Sequence, residues 1–163
     1  MSIESNVLQM VGMGSNKLVV DELEIYTSRS LMEQAIKDLD LQTEYRKKDK
    51  MRWVGQYPYQ DVVVRYPQHF CDTLTHIVKM DLKRIKHGYK LTVDMQIGRK
   101  HLKSKHALLS LNDPIETCIG RIELHENMPM ERGDRIHIKT MPMPVLVDIY
   151  RTNINVKQVK KES

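Results

Sequence analysis

The sequence is poor in the residues that build disulfide frameworks and aromatic binding platforms. It has two cysteines, one tryptophan and one phenylalanine among 163 residues. Without a C-x-x-C pair, two cysteines are too few for a disulfide framework, so we expect Cys71 and Cys118 to be unpaired, mostly buried thiols. The alternative is a single bridge between them in an oxidising compartment. No apolar run approaches the ~20 residues of a membrane span, and the N-terminal segment lacks the features of a secretion signal. We therefore expect a soluble, globular chain, either free-standing or the soluble part of an anchored protein.

Motifs for cofactors and metals are also missing. Gly12-Met13-Gly14 has no preceding strand pattern, no third glycine and no Lys-Ser/Thr step, so neither nucleotide-binding fingerprint is met. The seven histidines are scattered and include no H-E-x-x-H pair, which predicts no metal site. They are His69, His76, His87, His101, His106, His125 and His137. We expect no cofactor.

One pairing of a nucleophile with a base needs weighing. Cys71 and His69 are two residues apart, so on a strand their side chains would point the same way. No orienting motif accompanies them, and an inert thiol is the favoured interpretation. A small enzyme that uses Cys71 with a nearby histidine stays an alternative, and otherwise no catalytic residue is predicted.

Positive charge is modestly in excess. The chain has 26 Lys plus Arg against 21 Asp plus Glu, a formal net charge of +5. This balance favours anionic partners but is also compatible with a slightly basic, solvated surface. The densest cluster lies at 99–106 and is predicted to form a loop after a strand. Its cations, Arg99, Lys100, Lys103 and Lys105, form a candidate surface for an acidic glycan, lipid headgroups or nucleic acid.

Helical and extended patterns alternate along the chain in a simple order. Residues 1–16 are predicted as a linker and 160–163 as a tail. Ser30 and Glu33 have the spacing of a capping box, with a break near Ser28 that divides two helical pieces over 18–39. Pro142 and Pro144 open a second, short helix. Strands are predicted over 43–46, 52–56, 61–66, 74–85, 89–97, 117–125, 135–140 and 154–159.

This order predicts an α+β fold over residues 17–159. It consists of a mainly antiparallel sheet, with N-terminal helices and a short helix before the last strand packed on it. The clearest strand signal is the strict alternation of apolar residues from Tyr89 to Ile97, and His87-Gly88 is predicted as the hairpin turn before it.

Three segments resemble a known family. The acidic start of the first helix, followed by Ser28-Arg29-Ser30-Leu31-Met32, is similar to the start of the extracytoplasmic domain of bacterial polysaccharide co-polymerases. These chain-length determinant proteins include capsular exopolysaccharide tyrosine autokinases. The segment 117–124 resembles the family's T-P-x-G strand, with Cys118 in place of proline, and 150–156 resembles the step before its long helices.

The resemblance implies a non-catalytic role in regulating the chain length and export of capsule, exopolysaccharide or O-antigen. It implies a homo-oligomer on the periplasmic face of the bacterial inner membrane, anchored by flanking segments, with polymerase, export machinery and glycan as partners. Any tyrosine autokinase domain would lie outside these residues. The helix residues that would face a neighbouring subunit are Asp21, Glu22, Glu24, Ser28, Arg29 and Ser30. The alternative is a stand-alone, basic nucleic-acid-binding domain that uses the 99–106 cluster.

Overall fold

The structure is a computed structural model that describes residues 17–162, except for the side chains at 17–18, 22–23, 25–27 and 154–162. The predicted linker, 1–16, lies outside the described residues. Compactness divides the chain into a helical unit, Met1–Leu39 with Ile149–Ser163, and a sheet unit, Asp40–Asp148. The predicted interval 17–159 therefore spans both units.

Helix α1 runs without interruption over Lys17–Asp38. The prediction of two helical pieces with a capping box at Ser30 is therefore wrong, because Ser30 and Glu33 both lie well inside the helix and are exposed. The S-x-x-E spacing also puts two polar residues on neighbouring turns of a helix interior. Ile36 is buried, whereas Ala35 and Leu39 are exposed. The helix ends before Asp40, whose φ of 52° is the left-handed conformation common after helix ends.

Helix α2 spans Met143–Glu162. Its start at the Pro142–Pro144 segment was expected from the sequence, and the Leu146 amide donates to the Pro142 carbonyl. The predicted closing strand at 154–159 is wrong, because these residues continue α2, and so do 160–162 of the predicted tail. No glycine or proline follows Pro144, and the lysines and glutamine near the end are good helix formers. The last element is thus one long helix.

A six-stranded antiparallel sheet forms the larger part of the sheet unit, in the order β2-β1-β9-β4-β5-β6. Its strands are β1 (Thr43–Asp49), β2 (Arg52–Gly55), β4 (Val78–Ile85), β5 (Gly88–Ile97), β6 (Lys100–Leu108) and β9 (Arg135–Thr140). Strand β4 begins four residues later than predicted. The β4–β5 turn is Lys86-His87, because Gly88 pairs with Ile85 and already belongs to β5. Gly88 has a φ of 109°, and a Cβ there would collide with the Leu108 carbonyl oxygen, so glycine is required.

A three-stranded antiparallel sheet completes the unit, with β3 (Val62–Arg65), β7 (Ile115–Thr117) and β8 (Gly120–Glu126) in the order β3-β8-β7. The prediction of one strand over 117–125 is wrong. The chain reverses at Cys118-Ile119, and Thr117 pairs with Gly120. Gly120 has a φ of 111°, a backbone conformation that other residues rarely adopt. The segment is therefore a hairpin.

The hydrophobic core of the sheet unit lies between the two sheets. Side chains alternate along the large sheet, so that Tyr45, Leu82, Leu91 and Ile136 point to one face and polar neighbours to the other. From the small sheet, strands β3, β7 and β8 contribute to the same cluster Val62, Val64, Ile115, Ile122 and Leu124. The fold is thus α+β with a mainly antiparallel sheet, as predicted, and one face of the large sheet is left for polar residues.

Candidate anion-binding site

The face of the large sheet that points away from the core forms an open cleft of about 660 Å³. We call its polar lining the polar face. It consists of Glu44, Arg46, Lys79, Asp81, Thr92, Asp94, Lys103, Lys105, Arg135, His137 and Lys139. Six of these side chains are Lys or Arg and three are carboxylates, so this one surface has an excess of positive charge. Five neighbouring strands of the sheet contribute to it: β1, β9, β4, β5 and β6.

Strand register places all of these side chains except Arg135 in two rows across the sheet. One row contains Arg46, His137, Asp81, Thr92 and Lys105, each paired with the next on the neighbouring strand. Residues paired in this way have side chains about 5 Å apart on the same face. The polar face is therefore assembled by strand pairing between segments far apart in the sequence.

The second row lies two residues along each strand. It contains Glu44, Lys139, Lys79, Asp94 and Lys103 in the same strand order. Lys139 and Lys79 are direct partners in the β9–β4 pair. Like charges opposite each other on one face repel, which favours an anion between them.

Asp81 is held by two partners at the centre of the polar face. The Arg135 guanidinium donates to it twice, Nε to Oδ1 at 2.8 Å and Nη2 to Oδ2 at 2.9 Å. His137 Nε2 lies 3.0 Å from Oδ1 of the same carboxylate. The hydrogen bond to Asp81 raises the pKa of Arg135. Asp81 is thus held by Arg135 and His137, and these contacts fix the positions of the side chains at the centre of the polar face.

The only tryptophan lies at the margin of this site. Trp53 stacks on the His137 ring with centroids 3.6 Å apart and an angle of 19° between the planes. Lys48 Nζ lies 5.9 Å from the Trp53 ring centroid. Burial lowers the pKa of His137, and the Asp81 carboxylate opposes that shift. The histidine therefore tends to be neutral, and the positive charge of the face comes from lysine and arginine.

The other two carboxylates of the polar face are also paired. Glu44 Oε1 accepts from Arg46 Nε at 2.8 Å, and Asp94 lies 3.1 Å from His101 Nδ1. Lys79, Lys103, Lys105 and Lys139, by contrast, make no ion pair with any described residue. Four ammonium groups are therefore available to an anion.

A second cleft of the sheet unit shows how different this arrangement is. In that cleft of about 590 Å³, Lys47 Nζ lies 2.8 Å from Asp61 Oδ2 and 3.4 Å from Asp134 Oδ2. The hydrogen bond with Asp61 raises the pKa of Lys47. Here Lys47 is neutralised within the protein, and four carboxylates outnumber the two lysines of the lining, so the cleft has little to offer an external anion.

The structure separates the four cations that the sequence placed in one cluster. The predicted loop at 99–106 is wrong, because Lys100–Leu108 forms the edge strand β6. Arg99 lies in the preceding turn, and Lys100 points to the opposite face from Lys103 and Lys105. Only Lys103 and Lys105 line the polar face.

Strands β4 and β9 supply residues of the polar face that no local cluster in the sequence marks. Lys79, Lys139, Arg135 and His137 lie on β4 and β9, and each alternates with buried residues of the same strand. That alternation predicts strands with one solvent-facing side. It does not specify which strands pair or in which register, and this pairing is what brings these residues together.

The residues predicted to face a neighbouring subunit lie on α1. Asp21, Glu24, Ser28 and Ser30 are exposed and Arg29 is half-buried, while the Glu22 side chain is outside the described ones. Exposure makes the first four accessible to a partner. The subunit interface itself stays a prediction.

The candidate nucleophile Cys71 lies in a turn and not on a strand. His69 Nδ1 lies 3.5 Å from Asp72 Oδ2, and no hydrogen bond joins His69 to the thiol within the described part of the chain. Burial raises the pKa of Cys71, which disfavours the reactive thiolate. Cys71 and Cys118 are both free thiols, as predicted, and both are half-buried.

Among residues 17–162 no group of three or more His, Cys, Asp or Glu side chains has the geometry to hold a metal ion. No described helix is both long and apolar enough to cross a membrane. No protein-family model matches the sequence, and no curated protein does.

Proposed function

We propose that this chain is a non-catalytic extracytoplasmic domain of the polysaccharide co-polymerase type. In this role it regulates the length and export of a capsular, exopolysaccharide or O-antigen polymer by assembling side by side with copies of itself. The proposal starts from the resemblance of Ser28-Arg29-Ser30-Leu31-Met32, which lies in the middle of α1. It places the domain on the periplasmic face of the inner membrane, with anchors and any tyrosine autokinase elsewhere in the parent protein.

One structural observation supports this proposal most directly. The chain passes from the helical unit into the sheet unit at Asp40 and re-enters the helical unit at Ile149. A domain inserted between two anchoring segments requires such a return, because both ends must reach the same membrane. The helical unit would then connect to the anchors.

The role of the domain can be tested in a bacterium that carries the parent gene. Removing the gene should change the polymer length distribution, measured by size-exclusion chromatography, and the intact gene should restore it. A parent gene with Leu82→Asp, which places a charge in the core of the sheet unit, should fail to restore it. The matched control is Lys86→Gln in the exposed β4–β5 turn, which should restore the wild-type distribution. An unchanged distribution after gene removal would contradict the proposal.

Its location has a separate test. Alkaline phosphatase inserted into the parent protein at the exposed Asn112-Asp113 segment should be active, because this enzyme folds only in an oxidising compartment. A cytoplasmic reporter inserted at the same site should be inactive. The reverse pattern would place the domain in the cytoplasm and rule out the proposed location.

A second candidate function is nucleic-acid binding, which the lysines of the polar face favour. Phosphate contacts by these lysines would produce sequence-independent binding that weakens as salt is raised. The test is binding of duplex and single-stranded oligonucleotides at low and physiological salt. Absence of binding at low salt would eliminate this candidate.

A further inference from the structure

We propose that the polar face binds an acidic polysaccharide through the carboxylates of its sugars, with the polymer lying across the strands from β9 to β6. This inference rests on the proposed function, since it names the ligand class that such a domain would meet. It assigns the contact to a sheet face that combines four strands, and not to the basic sequence cluster at 99–106. The residues assigned to the carboxylates are Lys79, Lys103, Lys105 and Lys139.

The first argument is the availability of charge. Asp81 and Glu44 are engaged by Arg135 and Arg46 of the same face, and Asp94 lies 3.1 Å from the His101 imidazole. Those pairs use charges that would otherwise be offered outward. The four lysines are the ones that no described carboxylate neutralises. Three of them, Lys79, Lys103 and Lys105, are exposed. An anion in this cleft therefore meets ammonium groups with no internal competitor.

The second argument is spacing. Lys79 on β4 and Lys103 on β6 belong to the same row with only Asp94 of β5 between them. Neighbouring strands are ~4.8 Å apart, so the backbones at the two lysines are separated by about 10 Å. Side chains that start this far apart can contact carboxylates on different sugars of one chain. Two simultaneous contacts make the polymer a better ligand than the single sugar acid, because the second contact is intramolecular.

The third argument distinguishes a glycan from a nucleic acid. Sugar hydroxyl groups donate as well as accept hydrogen bonds, so a glycan site benefits from acceptors among its cations. Glu44, Asp94 and Thr92 supply them, and a paired carboxylate still has free lone pairs. A phosphate backbone offers acceptors only, so these acceptors give it no hydrogen bond. The one tryptophan, Trp53, already stacks on His137, so no series of free aromatic rings is present for bases in the described cleft.

The direct test is binding of the 163-residue chain to polygalacturonate, measured by isothermal titration calorimetry at low and physiological salt. We expect binding that weakens as salt rises, with no binding to neutral dextran and weaker binding to galacturonate monomer. A single-stranded oligo-dT of equal charge should bind less tightly than polygalacturonate. No binding of polygalacturonate, or tighter binding of oligo-dT, would overturn the inference.

Charge-matched variants locate the site. Lys79→Gln with Lys139→Gln, and separately Lys103→Gln with Lys105→Gln, should each raise the Kd for polygalacturonate by about tenfold, on the scale of two exposed ion pairs. Arg99→Gln with Lys100→Gln removes the same charge from the same basic cluster but from outside the polar face, and should leave the Kd unchanged. Equal losses in all three double variants would show diffuse attraction and overturn the assignment. Circular dichroism of each variant checks that the fold is intact.

The inference and the proposed function can fail separately. If the chain binds polygalacturonate as predicted while loss of the parent gene leaves polymer length unchanged, the binding face stands and the chain-length role falls. If polymer length depends on the parent gene but the Lys79/Lys139 variant binds polygalacturonate like the wild type, the role stands and the face is wrongly assigned.

Discussion

The two faces of the six-stranded sheet are built by the same strands and differ in nearly every physical respect. On one face, side chains such as Leu82, Leu91 and Ile136 are almost completely buried in one continuous cluster. On the other face, chain neighbours of these residues such as Asp81, Thr92 and Arg135 are polar or charged and line an open cleft. Alternation along each strand separates a face that stabilises the fold from a face that is free to bind. Substitutions on the two faces should therefore have different kinds of effect.

The largest expected effect is on the core face. Leu82→Ala should lower the free energy of unfolding by about 3 kcal/mol, because it removes buried methyl groups and leaves a cavity. Lys83→Ala, one residue along β4 on the opposite face, should change it by less than about 0.5 kcal/mol. Urea denaturation followed by circular dichroism measures both values. Similar losses for the two variants would contradict the division between the faces.

A smaller effect is expected for the buried hydroxyl of Tyr45. The Val64 amide donates to this oxygen at 3.1 Å, so Tyr45→Phe leaves a buried donor unpaired and should cost about 1–2 kcal/mol. Burial also raises the pKa of Tyr45 from 10.0 to about 12. The folded state thus keeps a proton that the unfolded state releases, and this contribution to stability is lost as pH rises from 10 towards 12.

Urea denaturation of wild type and Tyr45→Phe between pH 9 and pH 11.5 tests both parts of this prediction. The difference in unfolding free energy between them should shrink as the pH rises. The matched control is Tyr59→Phe, since Tyr59 is 88% exposed. An alkaline pH dependence that is the same in wild type and Tyr45→Phe would contradict the prediction.

On the polar face, Asp81→Asn should have a modest effect on stability, about 0.5–1 kcal/mol, because its partners are partly exposed. Its sharper effect is on His137, whose pKa is already below 6.5 through burial. Asp81 opposes this shift, so the pKa of His137 should fall further in the variant. Because the neutral ring is favoured in the folded state, stability is lost as pH falls below 6.5 towards the folded pKa, and the variant should extend that loss to lower pH.

An NMR titration of the His137 ring protons measures this pKa in both proteins. Asp113→Asn, an exposed loop substitution, is the control and should leave the titration of His137 unchanged. A His137 pKa that rises in Asp81→Asn would show that the carboxylate does not act on the ring as the geometry indicates.

The smallest expected effect on stability belongs to the β6 lysines. Lys103→Gln and Lys100→Gln should each change the unfolding free energy by less than about 0.5 kcal/mol, because both side chains are exposed. The two variants should be indistinguishable in thermal unfolding while only Lys103→Gln weakens polygalacturonate binding. A large stability loss in Lys103→Gln would instead make this residue part of the packing of the sheet.

Local patterns in the sequence predicted the elements whose burial is one-sided. Strand β5 was clear because Tyr89, Leu91 and Val93 alternate with polar residues and are buried. Strand β6 was missed because it is an edge strand with mostly exposed residues, so its composition resembles that of a loop. The closing segment 154–159 shows the opposite error, since a short apolar run fits a strand or a helix equally well.

The candidate site could be predicted only in part, because it depends on pairing between remote segments. The hydrogen bond between Thr43 and Thr140 at 2.9 Å joins residues 97 positions apart and reports the β1–β9 register. No local pattern specifies that register. The sequence therefore identified Lys103 and Lys105 by their charge density, but Lys79 and Lys139 emerge only once β4 lies between β9 and β5.

The lysines of the edge strand have a consequence for how copies of this protein can associate. The outer edge of β6 has no neighbouring strand within the sheet, and such edges invite pairing with the same strand of another molecule. Lys100, Lys103 and Lys105 place positive charge along this edge, and lysines on an edge strand disfavour such pairing. The sheet is therefore protected against growing from one copy into the next. Association between copies through this edge is therefore disfavoured, which leaves the strand and its cleft accessible.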